Sequence, residues 1–290
     1  MATLDDARGG AAPWLLSAPA LLLFIAMLLV PLVLTVLLSF HVFRDMAGVQ
    51  PGYTLHNYFE VVTDPYYGTI FLRTAGLAFS VTVLSIVLGV PETIVLARMR
   101  KPWQSICLLI VIGPLLISVV VRTLGWEILL GNNGVINDVL RALDVTDEPI
   151  RFVFTMTGVI VALTHVLVPF MVMSVWATLQ KLDPQVEWAG RSLGSSPMRV
   201  FRRVVLPQIL PGVLSGSIIV FALSASAFAT PALIGGRRLK VVATAAYDEF
   251  LGTLNWPLGA SIVVLLLIAN VAIVMGCSRL AERRFKHIFD

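Results

Sequence analysis

Residues 188–207 read WAGRSLGSSPMRVFRRVVLP, with two glycines, two prolines and four arginines, in a chain of 290 residues that is 58% hydrophobic. Just before it, Asp183-Pro184 offers a side-chain acceptor at a helix cap, followed by a residue with no N–H to satisfy. Leu182, Val186, Ala189 and Leu193 recur at helical spacing, and Gly194 suits the left-handed conformation that ends a helix. Ser196-Pro197 repeats the start signal, and a second short helix is expected to run until the ring of Pro207 forbids its continuation. The segment therefore reads as two short helices bent around a glycine and lying along a membrane surface. Two accounts of its arginines are open at this point: contact with anionic lipid, or a handle gripped by another protein.

The membrane follows from composition. Only 13% of the residues are charged, against about 25% in soluble domains, and the mean hydropathy is +0.90. The net charge of +4 is divided among long uncharged runs, which fits a basic membrane protein and not a nucleic-acid binder. Cys107 and Cys277 stand inside apolar runs and read as buried, inert thiols. The four histidines stand apart, and no residue spacing implies a metal site.

A helix needs roughly 20 apolar residues to cross about 30 Å of hydrocarbon. Six stretches qualify: Trp14–Phe40, Thr74–Ala97, Ile106–Leu124, Phe152–Leu179, Ile209–Thr230 and Leu258–Cys277. The first exceeds a signal-peptide core of about 7–15 residues and is read as a retained span. With both termini cytoplasmic, 13 lysines and arginines fall inside and eight outside, and the basic clusters abutting spans favour that orientation. The chain thus reads as an all-α integral membrane protein, residues 1–290 forming a single transmembrane domain without internal repeat.

The segments outside the spans carry their own signals. His41–Tyr67, with Pro51-Gly52 and several aromatic residues, reads as a folded loop. Asn133-Gly134 precedes Val135, Ile136, Val139, Leu140 and Leu143, the spacing of a short amphipathic helix with Asn133 as its expected cap. The last outer segment contains Gly235-Gly236, then Tyr247-Asp248-Glu249-Phe250.

A resemblance to a known family shifts the balance between the two accounts of the arginine-rich segment. Gly194, thirteen residues before Pro207, with Val204-x-Leu206 preceding that proline, resembles the cytoplasmic "EAA" loop of binding-protein-dependent ABC importer permeases of type I. The resemblance starts late: Trp188-Ala189-Gly190 stands where the family has Glu-Ala-Ala, and Glu187 falls one residue early, about 100° away on a helix. Val121-Arg122-Thr123-Leu124-Gly125, Val168-Pro169-Phe170-Met171 and Asn255-Trp256-Pro257-Leu258-Gly259-Ala260 are similar to the spermidine/putrescine permease branch. Likeness covers about residues 74–280, with the loop about 183–207.

The resemblance implies six transmembrane helices in the bacterial cytoplasmic (inner) membrane, forming half of a pathway for a small solute. A polyamine or related cation is the expected solute; opines, phosphonates and other small solutes are the alternatives. It further implies a second permease, a cytoplasmic ATPase dimer using ATP and Mg, and a periplasmic or lipid-anchored solute-binding protein. The expected ATPase-coupling residues are Glu187, Trp188, Ala189, Gly190, Gly194, Leu206 and Pro207. The chain has no Gly-Lys dipeptide and so no phosphate-binding P-loop, and it is expected to be a permease without catalysis or bound cofactor.

Single residues add candidates for the solute path. Glu92, after Pro91 in the second span, is an acid in hydrocarbon; it reads either as part of the path or as a snorkelling partner for Arg98. Tyr247, Asp248 and Glu249 combine acids with an aromatic ring, a pairing that suits an ammonium. His165 reads as a hydrogen bond to a neighbouring helix or as a proton relay, and Asn270 as interhelical glue. Small residues in Gly212-Val213-Leu214-Ser215-Gly216 read as close helix packing rather than a protease nucleophile loop. A secondary transporter, the remaining rival, would build an ion site on repeated, broken helices.

Overall fold

Helices account for most of the chain because its apolar runs must satisfy their backbone groups internally once water is absent. The structure, a computed structural model, describes residues 12–182 and 184–289; the side chains of 12–16, 184, 187, 189, 191 and 280–289 lie outside the description. In order come α1 (Ala12–Ser39), the hairpin strands β1 (His41–Arg44) and β2 (Gly48–Tyr53), α2 (His56–Thr63) and α3 (Pro65–Arg98). There follow α4 (Trp103–Leu116), α5 (Val119–Leu130), α6 (Val135–Ala142), α7 (Met156–Leu179), α8 (Pro184–Ser192) and α9 (Pro197–Val200). The chain ends with α10 (Leu206–Ala225), α11 (Val242–Leu251) and α12 (Trp256–Phe289).

Five helical stretches are long and apolar enough to span: Ser17–Ser39, Pro65–Arg98, Met156–Leu179, Pro197–Ala225 and Trp256–Arg279. The remaining expected span, the third, Ile106–Leu124, is not one straight helix. Trp103–Leu116 and Val119–Ala142 meet at 100°. Pro114 lacks a donor, Ile117 is extended and Ser118 is non-helical, and the Arg122 guanidinium donates to the Pro114 carbonyl across the break. Ile117 N–H reaches the same carbonyl at 3.4 Å, so the arginine adds a second donor to a backbone group at the end of α4.

The centre is built by α3, α7 and α10, whose Leu77, Val81, Met171, Val175, Ile209 and Val220 are fully buried. α7 and α10 approach closely because Gly212 and Gly216 lie one turn apart on the contact. A methyl at Gly212 would stand 2.4 Å from Thr178 Oγ1 and 2.8 Å from the Ser174 carbonyl, and one at Gly216 would stand 2.8 Å from Met171 Sδ. Ser174 Oγ donates to the Gly212 carbonyl at 2.8 Å, using the room the glycine leaves. The expected close-packing role of this stretch is therefore observed. A second cluster joins α2 and the start of α3 to α11 and α12 through Val61, Tyr67, Ile70, Val242, Leu258 and Ile262.

Three local expectations need correction. Pro207 does not end a helix: a π-helical turn, Phe201–Val205, joins α9 to α10, and Pro207 falls in the first turn of α10, where a missing N–H costs little. Asn133 does not cap α6; Gly134 occupies that position without a side-chain bond. The loop is instead tied by buried Asn137, which donates to the Gly131 and Ile150 carbonyls at 2.9 and 3.0 Å and accepts from Ile150 N–H at 2.8 Å. Finally, Cys107 is only half-buried and Cys277 is exposed on α12. An apolar sequence position in such a chain can face lipid as readily as protein, so hydropathy overstated their burial.

The expected folded loop after α1 is the β1–β2 hairpin followed by α2. Buried Asn57 holds them to α1 by donating to the Ser39 and His41 carbonyls at 2.8 and 3.0 Å. Asn270 is interhelical, as expected, donating to Ser226 Oγ at 3.3 Å.

Candidate functional site

The arginine-rich segment forms a projecting elbow at one end of the bundle. α8 ends as its glycine requires: Gly194 has φ +78°, and Ser195 N–H reaches back to the Gly190 carbonyl at 3.3 Å, the six-to-one bond of a Schellman turn. Gly190 sits against Val200, where a methyl would stand 3.2 Å from Val200 Cγ2. Val200 is buried within the elbow, and buried Val205 joins the elbow to the central core. Its apolar tip is left open, with Trp188 67%, Leu193 86% and Met198 67% exposed. Arg199, Arg202 and Arg203 line a polar groove beside it. Leu206 is exposed and Pro207 half-buried; Asp183 and the side chains of Glu187 and Ala189 lie outside the described residues.

At the opposite end of the bundle, α11 carries Tyr247, Asp248 and Glu249, and the fold gives both acids partners. Asp248 Oδ2 meets Lys240 Nζ at 2.8 Å, and that contact raises the Lys240 ammonium above its ordinary value of 10.5. Tyr67 on α3 donates to Glu249 Oε1 at 3.1 Å, and Thr253 donates to Oε2 at 2.6 Å. Arg73 donates to the Lys240 carbonyl at 3.1 Å, while Thr74 Oγ1 accepts from Val242 N–H at 2.9 Å. These bonds tie α11 to the start of α3. Tyr247 packs its ring on Phe228, centroids 4.9 Å apart, and is half exposed.

Glu92 lies elsewhere, and the structure groups it with residues that were not joined in sequence. A cavity of about 740 Å³ between α3, α4, α5 and α7 is lined by Glu92, Trp126, Thr164 and His165 among apolar walls. Leu84, Leu88 and Glu92 follow one another at single-turn spacing along α3, as Val161, Thr164 or His165, and Val168 do along α7. His165 is bonded across helices, as expected for the simpler of its two readings: Trp126 Nε1–H donates to its Nδ1 at 3.2 Å. Thr164 is 4% exposed and its hydroxyl makes no hydrogen bond within the chain. Sequence reasoning missed Thr164 and Trp126, since a threonine or tryptophan in an apolar run is ordinary until its neighbours are known.

Comparison with known proteins bears on the chain as a whole. Residues 10–287 match the family described as binding-protein-dependent transport system inner membrane component. The chain is 32% identical over 255 residues to the spermidine/putrescine transport system permease protein PotB of Salmonella typhimurium (strain SL1344), covering 87% of this chain and 88% of the relative. It is 31% identical over 252 residues to PotB of Escherichia coli (strain K12), covering 87% and 90%. It is also 30% identical over 218 residues to the molybdenum transport system permease protein ModB of Mycobacterium bovis (strain ATCC BAA-935 / AF2122/97), covering 75% and 81%. In fold it is similar to a chain of the bacterial alginate ABC transporter in complex with its alginate pentasaccharide-bound periplasmic protein, with TM-score 0.76, 16% identity, and 94% and 96% of the two chains covered. The methionine ABC transporter MetNI supplies a second likeness, with TM-score 0.57, 19% identity, and 78% and 99% covered. The chain belongs to the family of binding-protein-dependent transport system inner membrane components: it is an ABC importer permease of the inner membrane.

Proposed function

We propose that this permease supplies half of the transmembrane route of an ATP-driven polyamine importer. Its partners in that reading are a second permease, a cytoplasmic ATPase pair using ATP and Mg, and a periplasmic or lipid-anchored protein that delivers solute. Both termini, and with them the elbow of α8 and α9, then face the cytoplasm, and the chain itself binds no cofactor. The observation that carries the coupling role is the elbow's exposed tip of Trp188, Leu193 and Met198, held on the buried Val200 and Val205. Tryptophan and arginine together are the residues that anchor protein interfaces, and a firm hold on the bundle lets closure of a partner move α7 and α10. Likeness to the PotB permeases over most of the chain supports the solute class.

In this reading Glu187, Trp188, Ala189, Gly190, Gly194, Leu206 and Pro207 belong to the coupling segment, with Trp188 supplying apolar contact where relatives present an acid. Tyr247, Asp248 and Glu249 form the entry side, where the two acids brace α11, and Glu92 lies along the route. The test reconstitutes the permease with its partners in vesicles and measures ATP-dependent uptake of labelled spermidine and putrescine, with an opine, a phosphonate and molybdate as competitors. Uptake of polyamines, abolished by an ATP-site change in the ATPase, is expected. Polyamine uptake that survives the ATP-site change would favour a secondary transporter, and uptake of molybdate alone would overturn the polyamine assignment.

A further inference from the structure

A chain that carries an aliphatic cation across hydrocarbon needs a place where methylenes and ammonium groups are both accommodated. The cavity between α3, α4, α5 and α7 offers both. Its walls are mainly aliphatic, Leu88 and Val168 among them, and its polar groups are few and distinct: Glu92, Thr164, and the His165–Trp126 pair.

Two of these are otherwise hard to account for. Thr82, Thr93 and Thr123 in neighbouring helices each turn the hydroxyl back to the carbonyl four residues earlier, at 2.6 to 2.7 Å. That bond is the ordinary way a threonine is satisfied in an apolar helix. Thr164 is as buried as these but forgoes it, and its hydroxyl makes no bond in the chain while lining the cavity. A buried hydroxyl left this way calls for a partner from outside. Glu92 is the second: it is half-buried, and no ion pair or hydrogen bond engages it among the described residues. By contrast, Asp248 and Glu249 are already engaged by Lys240, Tyr67 and Thr253.

The spacing of these groups suits an extended ligand. Glu92 lies two helical turns beyond Leu84 on α3, so the lined face is about 12 Å long at 1.5 Å per residue. We infer that this cavity binds an aliphatic di- or triamine during transport, with one ammonium on the Glu92 carboxylate, the methylenes along Leu88 and Val168, and a further nitrogen within reach of Thr164 and His165. The inference rests on the polyamine reading and sharpens it by moving recognition from the acids of α11 to the open cavity between α3, α4, α5 and α7.

The experiment uses the assembled importer in vesicles with its binding protein and ATP. Glu92→Gln keeps the side chain's shape and removes its charge; loss of one charge-assisted contact predicts a fall of about ten- to hundredfold in spermidine uptake efficiency, with partial recovery in Glu92→Asp. A second readout leaves Glu92 intact. With Cys107 and Cys277 changed to serine, Leu88→Cys is labelled with a maleimide during turnover, with spermidine or with uncharged 1,8-octanediol. Slower labelling with spermidine alone is expected. If the importer transports spermidine while Leu88→Cys labels at one rate throughout and Glu92→Gln transports normally, this site is wrong and the polyamine reading stands. If the unaltered importer takes up no polyamine, the polyamine reading itself falls.

Discussion

At the scale of single residues, two glycines and one ion pair give the sharpest expectations. Gly212 has no room for a side chain, since even a methyl would overlap Thr178 Oγ1 and the Ser174 carbonyl. Gly212→Val is expected to lower stability by about 1–3 kcal/mol, read as a lower Tm of the detergent-solubilised protein. Gly216→Val should act similarly, whereas valine at Gly276, which has open space around it, should change little. The Lys240–Asp248 pair is partly exposed and screened, so Asp248→Asn should cost only about 0–1 kcal/mol, less at high salt. Because the folded state raises the Lys240 ammonium above 10.5, the pair's contribution is fully present at neutral pH and is lost as pH climbs through the raised value. Comparing Tm of the parent and Asp248→Asn at neutral and strongly alkaline pH checks this; the difference should shrink in alkali.

Among elements, the elbow and the broken span behave oppositely. Trp188 is exposed and makes its proposed contact only with a partner, so Trp188→Ala should leave the permease's own stability within about 0.5 kcal/mol. The same change should weaken copurification with the ATPase by about 2 kcal/mol, the scale of a buried aromatic anchor. Gly194→Leu forces a side chain into φ +78° and should distort the elbow itself, lowering both copurification and solute-stimulated ATP hydrolysis. Undiminished coupling in both variants would remove the elbow from its proposed role. At the α4–α5 break, Arg122→Met removes one donor to the Pro114 carbonyl. That loss should speed hydrogen exchange around Ile117 and Ser118, leaving the α7–α10 contact protected.

For the whole molecule, one central core and one flanking cluster sit within a large apolar surface. Of the described side chains in the Ser17–Ser39 span only Ser39, at its end, is buried inside the chain, and Leu22, Phe24 and Met27 are each about two-thirds exposed or more. Such a surface is stable only against lipid or another subunit. The proposed orientation predicts that cysteine at Leu193, in the elbow, reacts with an impermeant maleimide only in inside-out vesicles. Cysteine at Leu254, beyond α11, should react only in right-side-out ones. Labelling of both from one side would refute the assigned topology.

Hydropathy by itself determined the membrane, the number of apolar runs and much of their extent, because a helix in hydrocarbon must be long and uncharged whatever it packs against. Local chemistry also determined the turn at Gly194 and the close contact at Gly212, since each rests on what a glycine alone can do. Tertiary structure decided the rest. It broke the third span through Pro114 and Arg122, and it carried α10 past Pro207 by a π-helical turn, both matters of where backbone groups find partners. It engaged Asp248 with Lys240 across the turn before α11, and Glu249 with Tyr67, far away in sequence. It also brought Glu92 beside Thr164, His165 and Trp126 from two other parts of the chain. Sequence periodicity reports which face of a helix is apolar, but not whether lipid, protein or a cavity lies against it, and that choice is made only when the helices pack.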